Sequence, residues 1–557
     1  MTSDELASEE GPTPVPSGDL VAELHALRVE SARLRYELSR LRDRRTVRVA
    51  LAVGALSSDG PRRAWEALRG RAPRQDVPGP QLVPRRAPFP HLRAVTTGPG
   101  ELLAGACART RVTPRTGVPV VARDRPDLLL VDEVVGWREG ELAGLIAAVR
   151  AHGGSVVTVG TAAGDALPRA DLHVLRTADG SHPTAGRGDE QPGSLRIPGA
   201  VDLSAAGPVG LAPLPAHRRD DAGAITLAEA RNQPVVVVAE PAVVGIDRCL
   251  CLLAAGAVLV AGHDRTLAAA LEGLDAATSA LVLGPPGEGA TDREARVAAL
   301  LGDDELRHRV SVRLRRHVQR HCSTRLALER IVVALDRDRP PSQRISVLLA
   351  TRRPDRVGQV LADLAAQQHG DLEVVLLPHG DAPLPDAVTA PGLRVQRVAA
   401  ERPLGAVLDA GLELVTGTYV AKVDDDDRYG SDHLADLVSA LEVSGAAIVG
   451  RRSHGVYLED QDRTIRPGPG GEERYENHLP GGTLLLPADT LRATRWRHVP
   501  NAVDTELIRS IHLAGGAAYS SHRYGYVRVR HGDHTWAARD GWDGPASAGF
   551  DHTLLEA

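Results

Sequence analysis

Four consecutive aspartates, Asp424 to Asp427, follow the apolar run Thr418-Tyr419-Val420-Ala421-Lys422-Val423 and are closed by Arg428-Tyr429-Gly430. A strand ending in stacked carboxylates sets several hard oxygen ligands at one sheet edge, which suits a divalent cation carrying a diphosphate. Like charges this close together after a buried strand are unfavourable unless a cation or an arginine neutralises them. The cluster therefore reads as a site for metal-assisted transfer from a nucleotide-activated donor rather than as a solvated acidic turn. An EF-hand does not fit, because Tyr429 and Ala435 stand where such a loop beginning at Asp424 needs Gly and Glu.

Presenting such a cluster requires a parallel sheet. Upstream, Ile345-Ser346-Val347-Leu348-Leu349-Ala350 reads as a strand running into Thr351-Arg352-Arg353-Pro354, and a helix follows over Val357 to Gln367. Leu372 to Leu377 reads as the next strand, leading to Pro378-His379-Gly380-Asp381, and a helix over Leu404 to Leu414 precedes the tetra-Asp strand. Loops at the carboxyl ends of parallel strands are where α/β sheets bind ligands, and Thr351 to Arg353, His379 to Asp381 and the aspartates all fall there.

At 557 residues the chain needs two or three domains. Its 43% hydrophobic and 25% charged residues give a globular balance. A net charge of -6, with no basic stretch interleaved with aromatics, argues against a nucleic-acid partner. Of the 66 Lys and Arg residues only one, Lys422, is a lysine, a skew that reads as coding bias rather than function. The acidic start, Met1 to Glu5, is no secretory signal, and the apolar run Cys249 to Gly262 is too short to cross a bilayer. Cys107, Cys249, Cys251 and Cys322 lack paired zinc spacing and read as reduced thiols of a cytoplasmic protein.

Residues 1–18 read as disordered. In 19–45, Leu20, Leu24, Leu27, Ser31, Leu34, Leu38 and Leu41 form the seam of a short coiled coil that could pair two copies. Its basic end, Arg40 to Arg45, could touch the inner face of a membrane peripherally. Residues 46–335 alternate apolar strands (Val47 to Val53, Leu128 to Val131, Ser155 to Val159, Val235 to Ala239, Ala257 to Ala261) with helices such as Glu139 to His152, a doubly wound, two-lobed α/β region. Residues 336–343 form a Pro-stiffened linker, and 344–557 the last domain, expected to fold alone from about Arg339.

In order, these motifs resemble the family 2 glycosyltransferases, over about Arg344 to Trp536. Val347 to Arg353 looks like the family's first strand and nucleotide loop. Leu404 to Gly411 resembles its helix before the metal motif, with Asp409 where Asn is usual, and Val423 to Asp427 matches its Asp-x-Asp signature. Gly481-Gly482-Thr483-Leu484-Leu485-Leu486 looks like its acceptor-side strand, Val503-Asp504 stands in place of its Glu-Asp pair, and His531 to Trp536 resembles its histidine-bearing C-terminal segment. The resemblance implies a GT-A fold and an inverting, Mg²⁺- or Mn²⁺-dependent transfer of a sugar from a nucleoside diphosphate to a hydroxyl of a glycan or other acceptor.

By the same resemblance Asp504 is the general base, and Asp426, with Asp424, His531 and His534, holds the metal. Thr351, Arg352, Arg353, His379, Asp381, Gly405, Asp409, Asp424 and Asp425 bind the donor, and Gly481, Gly482 and Trp536 line the acceptor side. Two departures stand out: the second strand ends in Pro378-His379-Gly380-Asp381 instead of a more acidic turn, and Val503 leaves Asp504 without the usual acidic neighbour. Residues 46–335 are similar, more weakly, to GT-B transferases of the spore-maturation type, with Cys251 where a donor-holding Glu is usual, which reads as a degenerate module. The rivals are a sugar-nucleotide nucleotidyltransferase, which would want a Gly-rich loop at Ala350 to Arg353, and a non-catalytic glycan-assembly or glycan-binding protein.

Overall fold

The computed structural model describes residues 89–97, 107–111, 116–131, 139–160, 170–176, 194–197, 218–219, 235–238, 240–337, 343–385, 390–466, 471–499, 502–531 and 545–557. The expected disordered start, the coiled coil, the strand at 47–53, most of the linker, His534 and Trp536 lie outside these residues.

The first part is α/β. Strands β1 (Phe89–Thr96), β2 (Cys107–Arg111), β3 (Leu128–Val131), β4 (Ser155–Gly160), β5 (Leu172–Arg176) and β6 (Ser194–Ile197) form a parallel sheet in the order β2-β1-β3-β4-β5-β6. A second parallel sheet holds β7 (Arg218–Arg219), β8 (Val235–Val238) and β9 (Val258–Ala261). Strands β8 and β9 are buried throughout, as expected when helices cover both faces. Asp303 opens the long helix Asp304–His321 as its N-cap, accepting from Leu306 N.

The last part is built on an eight-stranded mixed sheet. Its strands are β10 (Ile345–Thr351), β11 (Leu372–Pro378), β12 (Arg394–Val395), β13 (Tyr419–Val423), β15 (Ile448–Gly450), β18 (Arg474–Tyr475), β19 (Leu485–Pro487) and β20 (Ala518–Ser520), in the order β12-β11-β10-β13-β19-β15-β20-β18. Side chains of a strand point alternately to the two faces, and the core divides accordingly. Val347, Leu349, Val374, Leu376, Ala421 and Val423 pack with helices Val357–Ala365 and His433–Ser444. Leu348, Val375, Leu377, Val420 and Leu486 pack with Leu404–Leu412 and Val503–Leu513.

A smaller sheet of β14 (Arg428–Tyr429), β16 (Gly455–Leu458), β17 (Arg463–Ile465), β21 (Tyr526–Arg530) and β22 (Ala546–Ala548) lies in the order β14-β21-β16-β17-β22. Among the described residues no helix is long and apolar enough to cross a membrane.

Three buried histidines set a pH dependence. Burial pushes His454 down to about 3 and His512 and His522 down to about 4, so each is neutral in the fold. In the unfolded chain each takes a proton near about pH 6.5, so the unfolded state binds more protons between these values, and stability rises with pH across that window. The urea midpoint of the full chain should be lower at pH 5 than at pH 7.5. His512→Gln, which can still donate to the Gly516 carbonyl that His512 Nδ1 contacts at 3.0 Å, should narrow the difference. A midpoint that is equal or higher at pH 5 would rule this out.

Candidate active site

Strand pairing brings the site together. β10 lies parallel to both β11 and β13, with Thr351 opposite Pro378 and Leu349 opposite Val423. Thr351 to Arg353, His379 and the aspartates therefore leave the same sheet edge, as expected from the sequence. β19 runs antiparallel to β13, with Ala421 opposite Leu485. The turn that precedes β19, Gly481–Thr483, is thereby set beside the aspartates. β21 runs antiparallel to β14, with Tyr429 opposite Tyr526. Chain that leaves 429 backwards meets chain that leaves 526 forwards, which brings His531 to Asp426.

The four carboxylates have four different surroundings. Asp427 is buried, accepting from Tyr526 Oη at 2.5 Å and Val529 N at 2.9 Å; burial, then Asp426 and Asp424, push it up to about 7. It ties the cluster to β21. Asp425 accepts from Thr351 Oγ1 and Arg353 Nη2, both at 2.6 Å. Burial raises its pKa against those two bonds. Asp426 Oδ2 accepts from the same Arg353 Nη2 at 2.7 Å and lies 2.9 Å from His531 Nε2, which is itself 2.9 Å from Arg353 Nη1. Asp424 points elsewhere: its Oδ1 is 2.6 Å from Lys422 Nζ, and its backbone N–H donates to Tyr429 Oη, whose hydroxyl donates to the Gly482 carbonyl.

Two carboxylates and an imidazole thus converge on one cationic group, the Arg353 guanidinium. These ligand types are of the kind that suits Mg²⁺ or Mn²⁺; here the Arg353 guanidinium neutralises them. Asp426 and His531 lie together and Asp425 shares Arg353 with them, whereas Asp424, which the sequence reading groups with Asp426, is turned to Lys422. Among the described residues no cluster of three or more acidic, His or Cys side chains stands ready-made for a metal.

Asp504 stands in the first turn of helix Val503–Leu513, after Ala502 in the left-handed conformation at φ 61°. Its Oδ1 is 3.6 Å from Lys422 Nζ. Gly481 makes room for it, because a Cβ there would sit 1.8 Å from Asp504 Oδ2. Burial raises the carboxyl's pKa, Lys422 opposes and Asp424 adds. The acidic neighbour missing at Val503, which is buried in the core, is thus supplied through space by Asp424.

The other expected donor residues are dispersed. Arg352 Nε donates to His379 Nδ1 at 3.0 Å and its Nη2 to the Ala400 carbonyl at 3.1 Å; burial, then Arg352, keep His379 below its ordinary pKa. Asp381 is exposed beyond them. Asp409 accepts from Trp496 N at 3.1 Å and faces His498 Nε2 at 3.0 Å, bracing that segment, against which Gly405 packs without room for a Cβ. Cys251 is half-buried on helix Ile246–Ala254 and, among the described residues, forms no disulfide. The sequence reading missed Lys422 and Asp427; the signal for the first was its being the only lysine.

Residues 347–495 match the profile of Glycosyl transferase family 2. The match ends before Asp504 and His531 and does not reach residues 46–335, so nothing supports the GT-B likeness there. Among similar solved structures, S. aureus TarS is 14% identical, with a TM-score of 0.27 and coverage of 34% of this chain and 37% of that one. S. aureus TarS 1-349 in complex with UDP-GlcNAc is 16% identical, with a TM-score of 0.28 and coverage of 35% and 62%. The same protein in complex with UDP is 14% identical, at 0.27, covering 34% and 60%. The chain spans less than two thirds of each, and likenesses this weak say nothing about its donor or acceptor. No curated protein is matched.

Proposed function

From the premise that residues 347–495 are a family 2 glycosyltransferase domain, we propose that the chain transfers a sugar from a nucleoside-diphosphate donor to a hydroxyl acceptor, inverting the anomeric carbon. The observation that carries this reading is the placing of Asp504 across the Gly481–Gly482 turn from the aspartates, linked to them by Lys422. One carboxylate group then serves the donor and a separate one the acceptor.

Thr351 and Arg353, at the end of β10, would meet the donor diphosphate, with Arg352, held to His379, at its border. Asp425, Asp426 and His531 would hold Mg²⁺ or Mn²⁺, with Arg353 released to the phosphates. When bound, such an ion supplies Lewis-acid stabilisation of the charge that develops on the leaving diphosphate. Asp504 accepts the proton of the acceptor hydroxyl as its oxygen bonds to the anomeric carbon and the bond from that carbon to the diphosphate oxygen breaks. Attack from the face opposite the leaving group inverts the centre.

The test is release of nucleoside diphosphate by the full chain from a panel of nucleotide sugars with Mg²⁺ or Mn²⁺. Turnover of one donor well above the protein-free blank is expected. A chain that consumes none would be a non-catalytic glycan-assembly or glycan-binding protein.

A further inference from the structure

Lys422 is the single lysine among 66 Lys and Arg residues, and its side chain is only 5% exposed. It lies on β13 opposite Leu348 of β10, and its N–H donates to the Leu484 carbonyl at 2.8 Å. Its place on the strand is fixed by both neighbours. Two residues on from Val420, it shares the face that packs on helix Val503–Leu513.

The ammonium is shared unequally. It is 2.6 Å from Asp424 Oδ1 and 3.6 Å from Asp504 Oδ1. That Asp504 oxygen is buried and has no hydrogen-bond partner among the described residues, so one step of about 1 Å by the ammonium would satisfy it. The space suits a compact point charge: a Cβ on Gly481 would come within 3.0 Å of Nζ. A planar, five-donor guanidinium has no such freedom to turn between two oxygens, a physical reason for a lysine here in a chain that otherwise uses arginine.

We propose that Lys422 is a positioning residue that couples donor binding to the base: donor engagement of Asp424 frees the ammonium to close on Asp504 Oδ1, fixing the other oxygen towards the acceptor hydroxyl. This rests on Asp504 being the base. In the free chain Lys422 is held by Asp424 and the base is loosely set; in the donor complex it is locked.

A chain labelled at lysine Cε and Nζ gives one side-chain signal. The probe is Mg²⁺ with the nucleoside diphosphate of whichever donor the chain turns over. In the native chain this addition should move the signal, and in Asp504→Asn the movement should be at least halved; an equal movement in both would overturn the coupling. Lys422→Met should lower kcat for transfer about 10²-fold, the scale of a 1 Å misplacement, with donor KM changed only a few fold, and Lys422→Arg should not restore it. Transfer within twofold of native in Lys422→Met, or a loss wholly in donor KM, would overturn the proposal while leaving the base in place. Unimpaired transfer by Asp504→Asn, or no donor turned over, would instead remove the reading on which it rests.

Discussion

Asp504→Asn should transfer sugar about 10²–10⁴-fold more slowly than the native chain, the usual size of general-base catalysis, with donor affinity nearly unchanged. Asparagine keeps the side chain's shape but has neither the charge that attracts Lys422 nor the capacity to take the acceptor's proton. The donor side should change at most a few fold, because Asp425, Asp426, His531 and Arg353 bond among themselves and to Thr351 and Asp504 reaches it only through Lys422 and Asp424. The check is kcat and donor KM for the full chain, with donor hydrolysis measured alongside. If donor affinity falls as far as kcat, Asp504 holds the site together rather than acting as the base. Glu473 is out of reach of that role: it is buried, paired at 2.6 Å with Arg315 and accepting from Tyr519 Oη at 2.8 Å. Glu506, near Arg509 on the same helix as Asp504, remains the residue to try next.

The central strands were legible because their apolar runs are short and end at polar residues: β10, β11 and β13 match the expected spans to within one residue. Parallel pairing then followed from the intervening helices, and with it the common edge for Thr351, His379 and Asp424. The smaller sheet was not legible. β14 and β17 are two and three residues long, too short for alternation to register, and β21 pairs with β14 across roughly a hundred residues. Which aspartate faces what was hidden for the same reason: four adjacent carboxylates differ only through distant partners, Arg353 and Thr351 for Asp425, Tyr526 and Val529 for Asp427. The lone lysine was visible, yet its meaning depends on helix Val503–Leu513 lying against β13, which no local pattern encodes. Least legible of all was the contact that helix Asp304–His321 makes with the C-terminal domain.

Arg315→Ala should destabilise the full chain by about 3–5 kcal/mol, the cost of leaving a buried charge without its partner. Helix Asp304–His321 turns a row of arginines onto the C-terminal domain. Arg309 reaches the Thr553 and Glu556 carbonyls at 2.8 and 2.7 Å, Arg313 the Ala557 oxygen, Arg316 Asp436 at 3.0 Å, and Arg320 Asp432. These partners are not equivalent. Asp436 also has His522 at 3.1 Å and Arg451 at 3.3 Å, so Arg316→Ala leaves it served and should cost much less. Glu473 is paired with Arg315 alone among the ion pairs described. Arg315→Met combined with Glu473→Gln should recover most of the loss, because the glutamine can still accept from Tyr519 while no charge is stranded. Urea midpoints of the two single variants and the double variant decide it; Arg315→Ala within about 1 kcal/mol of native would mean that water reaches Glu473. The same pairing bears on the expectation that the last domain folds alone from about Arg339. That piece lacks Arg315 and Arg316, so it should unfold at lower urea than one beginning before Asp303, which carries the helix that neutralises Glu473.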